Sequence, residues 1–64
     1  MDSEERLRVE GISALETGRL LHELFRDCDY HRGDFGKLLE QIRPDLTVDK
    51  AIDLIVSYKD AGGG

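Results

Sequence analysis

From Leu20 to Cys28 the apolar residues fall at Leu20, Leu21, Leu24, Phe25 and Cys28, and spacings of three and four put them on one face of a helix. The same rhythm returns twice. Phe35, Leu38, Leu39 and Ile42 form a second apolar face. Val48, Ala51, Ile52 and Ile55 form a third that continues to Tyr58 or Lys59, with Leu54 and Val56 widening its buried stripe. A chain of 64 residues has room for one domain, and each face must be buried against another element of that domain. With only two Phe, two Tyr and no Trp, the core is built from Leu, Ile and Val. The expected fold is therefore all-α, a small bundle of four helices or at most five.

Turn and cap residues divide the chain. Ser13-Ala14-Leu15-Glu16 fits a capping box at the start of the Leu20 helix, with Thr17 as a later alternative, and Gly11 and Gly18 fall near breaks. Upstream, Glu4 and Glu5 suit the first turn of a short helix after Ser3, to which Leu7, Val9 and Ile12 give a weak apolar side. The segment from Asp27 to Gly33 is dense in turn formers, after which Asp34 is the expected cap of the next helix. Pro44 ends that helix by forcing the preceding residue out of the helical region, and Thr47 caps the last one. Residues 1–61 thus read as a single helical interaction domain. Gly62, Gly63 and Gly64 read as a C-cap running into a glycine linker or a frayed terminus.

Fourteen Asp and Glu against nine Lys and Arg leave a formal charge of −5, which opposes attraction to nucleic acid or to an anionic membrane. The lone Cys28 has no intramolecular disulfide partner, and the opening Met-Asp-Ser-Glu-Glu has neither the basic nor the apolar part of a secretion signal. No apolar run approaches the roughly 20 residues of a membrane span. The expectation is a soluble, cytoplasmic protein.

Catalytic and metal chemistry is not expected. The stretch from Asp27 to Glu40 imitates a calcium loop at its alternating Asp27, Asp29 and His31. However, the sixth and twelfth positions hold Arg32 and Leu38 where the turn glycine and the bidentate glutamate belong. A zinc site around Cys28, His31 and His22 lacks ligands, since the chain has one Cys and two His. Gly33 and Gly36 flank Asp34, which would repel phosphate, and no Walker lysine follows. A helix-turn-helix reading of the last two helices fails because Asp49, Asp53 and Asp60 would face the groove. No cofactor or metal is expected, and no enzymatic activity.

What is left is charge on two helices. Asp45, Asp49 and Asp53, four residues apart, are expected to stack as an acidic stripe whose mutual repulsion has no compensation in the sequence. Arg19, His22 and Arg26 form a ridge that is basic on balance, although Glu23 interrupts it. Complementary patches on one molecule allow head-to-tail association. These six residues are the expected partner-binding positions.

The run Leu15-Glu16-Thr17-Gly18-Arg19-Leu20-Leu21-His22-Glu23-Leu24-Phe25, a polar turn, Phe35-Gly36-Lys37-Leu38-Leu39, then Asp45-Leu46-Thr47 and Ala51-Ile52-Asp53-Leu54-Ile55-Val56-Ser57-Tyr58 before Ala61-Gly62 resembles the bacterial effector-associated domains. These are helical adaptors with a death-fold-like architecture. The resemblance covers roughly residues 12 to 62. It implies a module in a bacterial signalling or defence system, fused to or recruited by effectors, whose partners are like helical domains or an effector protein. Such domains usually continue past the last glycine into another apolar helix. Here a compact or truncated form, or the segment Glu4 to Gly11 in that place, is implied instead. The rival expectation is an acidic inhibitor or docking domain that binds one unrelated basic protein.

Overall fold

The computed structural model describes residues 3–9 and 11–63. They form four helices, α1 (Ser3–Leu7), α2 (Ala14–Asp27), α3 (Arg32–Ile42) and α4 (Val48–Tyr58), followed by a wider turn over Lys59–Gly63. No strand and no fifth helix occurs among the described residues.

Helix α2 starts where the capping box places it. Ser13 is extended (φ −68°, ψ 159°) and its Oγ accepts from the Glu16 amide at 3.1 Å. The other half of the box is replaced, because the Glu16 carboxylate is taken up by Arg19 and Arg6. Thr17, buried, donates its hydroxyl to the Ser13 carbonyl at 2.8 Å, which satisfies it without a solvent contact. At the far end the Tyr30 amide donates to the Phe25 carbonyl at 3.0 Å and the Asp29 amide to the Arg26 carbonyl at 2.9 Å, a Schellman arrangement. Asp29 (φ 55°) and Tyr30 (φ 61°) both take the left-handed conformation. The hydrophobic contact that accompanies this motif is present, since the Tyr30 ring stands edge-on to Phe25 with centroids 5.3 Å apart. An aspartate tolerates this backbone less well than glycine. Asp29→Gly is therefore expected to stabilise the domain by about 0.5–1 kcal/mol, read as a higher urea midpoint with an unchanged slope.

The turn also explains a shift in α3. It uses up Cys28 to Tyr30, so His31 (φ −88°, ψ 112°) becomes the cap residue and the helix starts at Arg32. Asp34 is not the cap. It lies inside the first turn, where its charge still suits the positive end of the helix. Before Pro44, Arg43 leaves helical geometry (φ −136°, ψ 73°), as a residue preceding proline must. Thr47 caps α4, its Oγ1 accepting from the Lys50 amide at 3.1 Å. Gly62, at φ +88°, turns the chain out of α4; Gly64 lies outside the described residues.

The core consists of Leu7, Leu20, Leu21, Leu24, Phe35, Leu39, Ile42, Ala51 and Ile55, with Ile12, Phe25, Cys28, Leu38, Leu46, Val48 and Leu54 packed around it. Leu7, expected to contribute weakly, is fully buried, while Val9 is exposed. Val56 does not widen the buried stripe of α4: it lies about 100° from Ile55 around the helix and is exposed. Gly18 is not near a break. It is buried in the middle of α2, where that helix crosses α4 so closely that a Cβ would meet the Leu54 carbonyl oxygen and lie 2.9 Å from the Tyr58 Cβ.

Candidate interaction surfaces

The charged side chains on which the sequence argument rests are placed unequally. Arg19 is enclosed by its own helix. Its Nε donates to Glu16 Oε2 at 3.2 Å, its Nη2 pairs with Glu16 Oε1, and its Nη1 donates to Glu23 Oε1 at 3.2 Å. Arg6 adds a looser contact to Glu16 at 3.7 Å. The Arg19 hydrogen bond, helped by the charges of Arg19 and Arg6, outweighs desolvation and holds the Glu16 carboxyl below its ordinary range. Arg19 therefore contributes little net charge to the ridge. His22 is half-buried, its ring facing Tyr58 of α4 at a centroid distance of 6.2 Å. Arg26 is exposed and has no ion pair with any described residue.

The acidic stripe is shortened in the same way. Because α4 is capped at Thr47, Asp45 lies outside the helix in the turn after Pro44 and does not stack with Asp49. Arg43 holds it in a two-pronged pair, Nε to Oδ1 at 3.0 Å and Nη2 to Oδ2 at 2.9 Å. Those bonds keep the Asp45 carboxyl below its usual range despite some desolvation. The third donor of Arg43, Nη1, reaches the Leu7 carbonyl at 3.3 Å and ties α1 to the end of α3. The expected uncompensated repulsion of three carboxylates is thus not present: Asp45 is neutralised locally, and Asp49 and Asp53 remain, both exposed and without an ion pair to any described residue.

Apolar residues beside these charges escaped the sequence argument. Leu15 on α2 is 53% exposed and Val56 on α4 is 49% exposed, and half-buried Ile52 lies one turn before Val56. Helical spacing puts Leu15, Arg19, His22 and Arg26 on one side of α2, and Asp49, Ile52, Asp53 and Val56 on one side of α4. The available signal was that Leu15 and Val56 fall off the apolar stripes of their own helices.

An open cleft of about 500 Å³ lies between α1, the start of α2 and the Arg43 turn, lined by Leu7, Val9, Ile12, Thr17 and Arg43 among others. Of its polar side chains Thr17 is committed to Ser13, and Arg43 to Asp45 and Leu7, which leaves Arg8 alone to orient a ligand in an open cleft. Asp27, Cys28, Asp29 and His31 do not assemble as a ligand set. Among the described residues no group of three or more His, Cys, Asp and Glu is placed to hold an ion. Burial raises the Cys28 thiol above its ordinary range, and Asp34, Asp27, Asp29 and Glu4 push it further, which keeps it protonated and a poor nucleophile. No described helix is long and apolar enough to cross a membrane.

No protein-family model, curated protein or solved structure matches this chain.

Proposed function

We propose that the domain is a protein–protein interaction module that recognises like helical domains, and that it acts as an adaptor recruiting effectors in a bacterial signalling or defence system. The carrying observation is that exposed charges of opposite sign, without an ion pair to any described residue, sit on two different helices, Arg26 on α2 and Asp49 with Asp53 on α4. These charges are exposed and form no ion pair with one another, so they are left for a second molecule. The likeness to effector-associated adaptors favours the same use. In this reading the domain binds and does no catalysis.

The test is self-association measured by sedimentation at low and high salt. The wild type is expected to associate, and more weakly as salt rises. Reversing Asp49 and Asp53 to lysine, or Arg26 to glutamate, should each remove association with helicity retained. Arg19 is left alone because reversing it would strand Glu16 and Glu23. A head-to-tail contact uses one patch from each molecule, so mixing the two variants should restore a pair that cannot extend. A wild type that stays monomeric at high concentration and low salt would sink the homotypic reading. The net charge of −5 and the local neutralisation of Arg19 would then favour an acidic domain docking on one unrelated basic protein.

A further inference from the structure

We infer that the contact between copies is centred on apolar side chains, with Leu15 of one molecule packing on Val56 and Ile52 of the next, and that the charges serve to set its direction. This rests on the homotypic reading above, but it follows from a different observation. The basic ridge is largely spent on Glu16 and Glu23, so the charge that remains is a poor source of binding energy, whereas two large apolar side chains stand about half exposed at one end of each stripe, Leu15 at the start of α2 and Val56 near the end of α4.

The occupant of the α4 stripe must present an apolar side chain with a cationic group further along the same helix face, and α2 of a second copy has that order in Leu15 and Arg26. From Leu15, Arg26 follows three turns later, about 16 Å along the axis. From Val56, running the opposite way, Asp53 and Asp49 lie at about 4 and 10 Å. Laid antiparallel with Leu15 on Val56, the second copy carries Arg26 toward Asp49, within the length of an arginine side chain of that carboxylate. A parallel arrangement with Leu15 on Val56 would carry Arg26 past the end of α4, where only the turn at Lys59–Gly63 lies. The antiparallel order is therefore the one that satisfies both kinds of contact. Because the stripes are different surfaces, the contact is head-to-tail, and each molecule keeps one stripe free for another.

The experiment compares self-association of the wild type, Leu15→Gln, Val56→Gln and a control, Val9→Gln, by sedimentation at low salt, after circular dichroism has shown that helicity is retained. Val9 is equally exposed but lies off both stripes. Should a glutamine variant lose helicity, Leu15→Ala or Val56→Ala takes its place, since alanine favours the helix. Leu15→Gln and Val56→Gln are each expected to weaken association about tenfold or more, with Val9→Gln unchanged. A mixture of the first two should recover a heterodimer, because one keeps its α4 stripe and the other its α2 stripe. If the wild type associates and both stripe variants match it, the apolar contact is overturned while the charge-driven homotypic reading stands. If Val9→Gln weakens association as much as they do, the assignment to these stripes is likewise overturned. A monomeric wild type overturns the homotypic reading itself, and this inference with it.

Discussion

Phe35→Ala is expected to leave the domain without a stable native state. Phe35 is fully buried and is the largest such side chain. Its ring meets Phe25 at a centroid distance of 4.8 Å, so truncation opens a cavity and also removes an aromatic contact. Emptying a site of that kind costs about 3–5 kcal/mol. A single core in a domain of this size supplies about the same amount in total. Circular dichroism at 25 °C should show most of the helical signal lost, with any residual cooperative transition shifted to low temperature. A variant that melts within a few degrees of the wild type would mean that the core closes without this ring.

Gly18→Ala should also destabilise, against the usual direction. At an exposed helical position the substitution would gain about 1 kcal/mol, because glycine is the costlier residue in a helix interior. Here the new methyl group would press on the Leu54 carbonyl oxygen and the Tyr58 Cβ, which are backbone and near-backbone atoms and cannot turn aside. Only a shift of α4 makes room, and that loosens Ala51 and Ile55 against α2. Overpacking of this sort costs about 1–3 kcal/mol, more than the propensity gain returns. Gly18→Val should be worse, adding two further carbons and a β-branched restriction. Chemical denaturation of the three proteins would order them wild type, alanine, valine; an alanine variant more stable than the wild type would show that the crossing is looser than described.

How far these features were legible depends on whether they are local. Ser13 and Thr47 cap their helices through bonds to residues three positions on, so a short window of sequence carries them. Asp34 misled because a Schellman turn built on two non-glycine residues, Asp29 and Tyr30, has no strong sequence mark, and it moved the start of α3. Gly18 read as a break because a helical glycine is locally unfavourable; its reason lies on α4, far along the chain. Leu7 looked weak in a short terminal helix, yet the bundle leaves a place that only it fills. The candidate site shows the same division. The Glu16–Arg19–Glu23 pairs have ordinary helical spacing and could have been anticipated, whereas the pairing of Asp45 with Arg43 depends on how the chain turns at Pro44. The exposure of Leu15 and Val56 followed only once the buried faces were known.

The crossing at Gly18 also bears on how the chain reaches this state. The helices that meet there are separated by all of α3 and both of its flanking turns, so the α2–α4 part of the core is not a contact between neighbours in sequence. A hairpin of α2 and α3 alone leaves the Gly18 side of α2 in water, and α4 by itself has no surface on which to lay Ala51 and Ile55. The Phe25–Phe35 contact can form between α2 and α3, but the burial of Ala51 and Ile55 against α2 needs that whole loop to close. These helices therefore gain and lose structure together, and no shorter piece spanning only two of them holds the fold. Unlike them, the short α1, docked by Leu7 and the Arg43 bond, can add to a body that already exists.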